Sequence, residues 1–110
     1  MKKTFVKINF YKDEWSDKLH EWVCYGDAKT TILDMDSIVK ISGDPLERKH
    51  FKEARDISYG TPDKTVKIYT LTTNIAYGRG INGVDFVSFS VEEKVANALL
   101  AHFEILDLTK

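Results

Sequence analysis

An alternation of apolar and polar residues near the amino end is the strongest constraint on the fold of this chain. Within residues 4–11, Val6, Ile8 and Phe10 recur at every second position, with other residues between them. This period of two, together with the β-branched and aromatic content, predicts a half-buried strand. Tyr11 is then expected on the outward face of that strand.

Further strands are predicted where β-branched and aromatic residues recur along the chain. They cover residues 20–25, 30–33, 37–42, 64–73 and 84–89. Residues 13–25 also fit one face of a helix, so a helix stays open as the alternative there. The run Asp34-Met35-Asp36 predicts a corner between two strands, because an Asp carboxylate accepts hydrogen bonds from backbone N–H groups further along the chain.

A capping pattern predicts a helix in the middle of the chain. Asp44 has the N-cap position, Pro45 the first helical position and Glu47 the third, which is an Asp version of the capping box. The helix is expected over residues 45–57, and Gly60 is expected to end it.

A second capping box, Ser90 with Glu93 three residues later, predicts a helix near the carboxyl end. Apolar residues surround more of this helix than the single stripe that packing on a sheet requires. They are Val95, Ala98, Leu99, Leu100, Ala101, Phe103, Ile105 and Leu106. Packing against the inserted helix would bury this excess; otherwise it needs another subunit or a partner protein.

The order of these elements predicts the fold class. A chain of 110 residues has the length of one domain, and consecutive strands with short links imply antiparallel pairing. We therefore predict a single α+β domain over residues 1–110. It has a small antiparallel sheet of about five to six strands, with the inserted helix and the C-terminal helix packed on it.

Residues 30–103 have a layout that resembles the FlbD-type small bacterial and phage proteins. The resemblance lies in three segments, Ile32-Leu33-Asp34-Met35-Asp36-Ser37-Ile38-Val39-Lys40-Ile41, Val66-Lys67-Ile68-Tyr69-Thr70-Leu71-Thr72 and Phe86-Val87-Ser88-Phe89-Ser90-Val91-Glu92-Glu93. It implies a common architecture and a small phage or bacterial accessory protein. It supplies no catalytic residues.

Charge and cysteine content restrict the cellular setting and the partners. A net charge of −1 disfavours nucleic acid, although Lys2, Lys3, Lys7 and Lys12 offer a basic amino end that acidic residues then follow. A single cysteine cannot form an internal disulfide, which favours a reducing compartment and predicts a cytoplasmic protein. No apolar stretch approaches the roughly 20 residues of a membrane span, so no membrane partner is expected.

A glycine-rich run is the best candidate for a small-ligand site. Residues 78–83 match the spacing G-x-G-x-x-G, but the strand predicted after them excludes a dinucleotide fold, which needs a helix there. A weaker hypothesis remains, in which Tyr77, Gly78, Arg79 and Gly80 bind a nucleotide or another anion. The alternative is a solvent-exposed hairpin tip.

Catalytic and metal-binding patterns are weak. His20 and Cys24 lie four residues apart, but no base and orienting group can be identified for a thiolate, so a structural cysteine is favoured. Asp34 and Asp36 lack the further ligands that a hard metal ion needs. We predict no metal, no cofactor and no enzymatic activity.

The leading prediction is therefore a small non-enzymatic interaction protein that acts through contacts with a protein partner or with itself, as a homo-oligomer. Trp and Tyr dominate the energetics of protein interfaces, and apolar helix residues supply buried area. The predicted interface residues are Trp15, Trp22, Leu99, Leu100, Phe103 and Leu106. The alternative is the small-ligand module at the loop of residues 78–83.

Overall fold

The computed structural model describes residues 2–75 and 85–109, and it shows the predicted α+β fold. The strands are β1 (Phe5–Ser16), β2 (Glu21–Asp34), β3 (Ile38–Ile41), β4 (Leu46–Phe51), β5 (Lys64–Ile75) and β6 (Asp85–Glu92). The helices are α1 (Ala54–Tyr59) and α2 (Glu93–Leu100), and a 3₁₀ turn (Met35–Ser37) connects β2 with β3.

The strands form one mixed sheet in the order β3-β5-β4-β2-β1-β6. Because β5 also pairs with β6, the strands β1, β2, β4, β5 and β6 close into a ring. The expectation of an antiparallel sheet fails at one pairing: β2 and β4 run parallel, with Cys24 opposite His50 and Tyr25 opposite Phe51. β3 and β4 follow each other along the edge of β5 that β6 does not occupy, both antiparallel to β5, so β2, β3 and β4 run in the same direction.

Strand β1 is confirmed but continues beyond its predicted end. Val6 and Phe10 are half-buried and Ile8 is buried, as their alternation predicts. The pairing register with β2 then shifts between Phe10 and Lys12, which is an irregularity of the β-bulge kind. The shift breaks the alternation, so Tyr11 is buried rather than outward and pairs with Ser90 of β6.

The helix predicted over residues 45–57 is wrong. Residues 46–51 form β4, which pairs with β5 from Leu46 opposite Ile68 to His50 opposite Lys64. The helix that follows is only α1, six residues long, and Asp44 does not cap it. Pairing with β5 outweighs the local capping signal. Gly60 does end the helix, in the left-handed conformation with φ of 67°.

The predicted start and extent of the C-terminal helix also need correction. Ser90 lies in β6 opposite Thr70, and the N-cap position belongs to Glu92, which makes no capping hydrogen bond with its side chain. Helix α2 ends at Leu100, so Ile105 and Leu106 lie beyond it. Of the helices in residues 2–75 and 85–109, none is long and apolar enough to cross a membrane.

Within the part of the chain that the structure describes, two hydrophobic clusters form on the strands. The larger one joins α2 to β1, β5, β6 and the 3₁₀ turn through Ile8, Met35, Leu71, Val91, Ala96 and Leu99. The smaller one, on the other side of the bulge in β1, contains Tyr11, Cys24, Val66 and Ile68. Because of the bulge, β1 contributes side chains to both clusters.

The Asp34 corner is confirmed and allows a prediction about acid stability. One carboxylate oxygen accepts a hydrogen bond from the backbone N–H of Asp36 at 3.0 Å, and the other lies 2.9 Å from Nζ of Lys3. The bonds with Lys3 and then Asp36 hold the pKa of Asp34 below its ordinary value of 3.8. Stability from this lowered pKa is present above pH 3.8 and is lost as the pH falls through the folded pKa.

We therefore expect Asp34→Asn to lower the melting temperature at pH 7 by no more than about 5 °C, since the ion pair is exposed. Asn keeps an oxygen for the Asp36 N–H but loses the charge. Melting curves of both proteins between pH 2 and 7 should converge as the pH falls below the folded pKa of Asp34. A difference that stays constant over this range would contradict the assignment.

Candidate interaction surfaces

The chain after α2 exposes apolar side chains. Backbone hydrogen bonds from Ala101 to Asn97, from His102 to Leu99 and from Phe103 to Leu100, each 3.1 Å long, finish the last turn. Residues 104–109 then have no regular secondary structure. We call residues 103–108 the apolar segment. Leu106 is 80% exposed and Leu108 is 82% exposed, and Phe103 and Ile105 are also exposed.

Helix α2 itself is packed on its own domain. Leu99 is only 2% exposed and belongs to the larger hydrophobic cluster, so its main contacts are within its own domain, and its interface role stays a prediction. Its face of the helix covers the strands. Leu100 is half-buried, whereas Phe103 and Leu106 remain accessible for the predicted role. Leu108 was missed, although it continues the same apolar run by two residues.

Among the described residues, grooves lie beside α2 next to β1 and next to β3. One, of about 290 Å³, lies between α2 and β1 and is lined by Val6, Ile8, Lys94, Val95, Ala98, Leu99 and His102. The other, of about 210 Å³, lies between the end of α2 and β3 and is lined by Ile38, Val39, Lys40, Ile41, Leu100 and Phe103. Phe103 also lines a pocket of about 320 Å³ with His102 and with Thr4 just before β1.

The predicted tryptophans form a pair near the far end of β1. Trp15 and Trp22 face each other across β1 and β2 with ring centroids 5.9 Å apart in an edge-to-face arrangement. The indole N–H of Trp15 donates to the carboxylate of Asp17 at 3.1 Å. Both rings are about half exposed. The pair keeps the amphipathic aromatic surface that interface anchors have, and its role stays a prediction.

A cluster of titratable side chains, which sequence reasoning missed, lies around Tyr11. The Tyr11 hydroxyl donates to Glu92 at 3.3 Å, and its ring meets the ring of His50 at 5.2 Å. The ammonium of Lys64 lies 5.7 Å from the same ring, and a hydrogen bond with Tyr11 raises the pKa of Lys64. These contacts connect β1, β4, β5 and β6. No sequence spacing indicates them, since each residue comes from a different strand.

The buried His50 has one satisfied ring nitrogen and one that faces an acid. Nε2 lies 2.7 Å from the carbonyl oxygen of Gly26, so Nε2 must carry the donated hydrogen. Nδ1 lies 3.6 Å from a carboxylate oxygen of Asp63 and has no hydrogen-bond partner among the described residues. The hydrogen bond from His50 thus connects β4 to Gly26 of β2, where φ is 79°.

The histidine and cysteine candidates do not form a catalytic pair. His20 is exposed in the turn before β2, with φ of 53°, whereas Cys24 is fully buried within β2. Burial, with a smaller contribution from Asp13, raises the pKa of the Cys24 thiol to about 12. A thiol that stays protonated is a poor nucleophile, which agrees with the structural role favoured from the sequence.

Basic residues at the amino end are partly engaged within the chain. Lys3 lies 2.9 Å from Asp34, and Lys12 lies 3.2 Å from Glu14. Among residues 2–75 and 85–109, no three His, Cys, Asp or Glu side chains are grouped so that they could hold a metal ion. The anion-site candidates Tyr77, Gly78, Arg79 and Gly80 lie outside the described residues, so that hypothesis stays a prediction.

The two highest exposures among large apolar side chains of the described residues are those of Leu106 and Leu108, in the apolar segment. The tryptophan pair is less exposed, and Phe5, Ile32, Tyr59 and Phe86 are exposed apolar residues outside both surfaces. No family model, curated protein or solved structure matches this chain. A functional assignment therefore depends on the surfaces themselves.

Proposed function

We propose that this protein is a small non-enzymatic interaction protein, of the phage or bacterial accessory kind, that acts in the cytoplasm by binding a partner protein or a second copy of itself. One observation carries the proposal: the apolar segment presents Phe103, Ile105, Leu106 and Leu108 to solvent. Neighbouring apolar residues exposed together typically mark a contact site.

An interface that buries the apolar segment would gain enough free energy for specific binding to a protein. Burying one Leu or Ile side chain contributes about 1.5–3 kcal/mol. Losing two such side chains from an interface should then weaken binding by about 100-fold or more. The tryptophan pair is a second possible contact area. Val6, which lies beside α2, is near the start of β1, and the tryptophan pair is near its end. Nine residues separate Val6 from Trp15, which corresponds to about 30 Å along the strand.

Site-specific photo-crosslinking in the cells that make this protein tests the proposal. A photoreactive amino acid at position 106 should form covalent adducts with protein, whereas the same amino acid at position 59 should form few. Tyr59 is a matched control because it is 78% exposed, close to the 80% of Leu106, but lies on α1. Equal adduct yields at the two positions would contradict the proposal.

A further inference from the structure

The groove between α2 and β1 has the chemistry of a peptide-binding site. Its walls are aliphatic, from Val6 and Ile8 of β1 and from Val95 and Ala98 of α2. The exposed side chain of Lys94, which is positively charged, and the exposed side chain of His102 also line it.

The apolar segment has the complementary pattern. In an extended chain, Glu104 shares one face with Leu106 and Leu108, whereas Asp107 shares the other face with Ile105. The face with the two leucines therefore carries a carboxylate that complements the ammonium group of Lys94. Asp107 accepts hydrogen bonds from Thr109, which hold the chain in a local turn at the end of the segment.

The groove is open to the segment of another copy. In the structure the segment does not fill its own groove, since Ile105, Leu106 and Leu108 are 61%, 80% and 82% exposed. A second copy can approach the β1 side directly, and its own groove can then receive the first segment in return.

We propose that the α2–β1 groove binds residues 103–108 of a second copy of this chain, and that two copies exchange these segments to form a closed two-fold dimer. This inference rests on the proposed function and specifies its partner. Leu106 and Leu108 fill the groove, and Glu104 pairs with Lys94 beside it.

Analytical ultracentrifugation over a range of concentrations tests the groove and the segment separately. The unmodified protein should show a monomer–dimer equilibrium. The groove variant, Ala98→Glu, places a charged side chain in the groove at an exposed position. The segment variant carries Leu106→Asp and Leu108→Asp together. Each of the two variants should weaken dimerisation at least tenfold. Tyr59→Glu is the control that changes charge at an exposed site elsewhere, and it should leave the equilibrium unchanged.

Mixing the two defective chains gives the decisive result. A groove-blocked chain still has an intact segment, and a segment-disabled chain still has an intact groove, so one docking contact is restored in the mixture. The 1:1 mixture should form a heterodimer that neither chain forms with itself. Both variants must have melting temperatures close to that of the unmodified protein, which shows that they fold. Should Ala98→Glu fail to fold, Lys94→Glu takes its place as the groove variant.

Other outcomes separate this inference from the proposed function. A protein that remains monomeric at all concentrations, but forms adducts with a different protein at position 106, overturns the dimer and leaves the proposed function intact. A dimer that is sensitive to the segment variants and not to the groove variants also overturns the docking site. A monomer without adducts at position 106 overturns both.

Discussion

Cys24 is expected to react with a thiol reagent about a thousand times more slowly in the folded protein than an ordinary cysteine does. The thiolate is the reactive form, and burial raises the pKa of this thiol from 9.0 to about 12. At pH 8 the ionised fraction then falls from about one in ten to about one in ten thousand. The side chain is also fully buried, so the reagent has no direct access to it.

The measurement compares labelling by iodoacetamide in native buffer and in denaturant. An added exposed cysteine, Ser58→Cys on α1, serves as an internal control, because it should react at the ordinary rate in the same folded molecule. Similar rates for both cysteines would show that the strands around Cys24 open readily. The raised pKa also predicts that stability falls as the pH rises above 9.0, since the unfolded thiol then loses its proton and the folded thiol keeps it.

Sequence patterns predicted those elements for which the local sequence and the surrounding fold favour the same structure. The alternation through Val6 and Ile8 identifies β1 because burial of one face creates that pattern. The threonines and β-branched residues of β5, which pairs on both of its edges, give an equally direct signal. The Asp34 corner was predictable because its hydrogen bond with Asp36 is local.

The errors arose where a local signal competed with a distant strand. Asp44, Pro45 and Glu47 have good capping chemistry, yet β5 offers residues 46–51 an edge to pair with. Ser90 fails as a cap for the same reason, since it lies between β1 and β5 in the sheet. A single sequence does not reveal such pairings, because they depend on which strands the closed ring brings together.

The interaction surface was only partly predictable. The composition near the carboxyl end shows an apolar excess but not which residues its own domain covers. Ending α2 at Leu100 separates the excess into a buried part, represented by Leu99, and an exposed part, represented by Leu106. The groove that receives a segment in our proposal joins Ile8 to Ala98, which are 90 residues apart in the chain. No sequence pattern predicts that juxtaposition.

The second large effect is expected at Phe51, the residue that ends β4. Its side chain is fully buried, and its strand position lies opposite Tyr25 across the parallel pairing of β4 with β2. Phe51→Ala should remove about 3–5 kcal/mol of stability, because it deletes a buried ring and leaves a cavity. For a domain of ordinary stability, about 5–15 kcal/mol, this is a large share of the total.

Urea unfolding of Phe51→Ala and of a matched control, Phe5→Ala, measures this effect. Phe5 is 60% exposed on β1, so the same change there should shift the free energy of unfolding by no more than about 1 kcal/mol. If the two variants lose equal stability, Phe51 is not buried and residues 46–51 do not form the strand that joins β2 to β5. If only Phe51→Ala is destabilised, with an unchanged dependence on urea, the loss comes from the core that this parallel pairing creates.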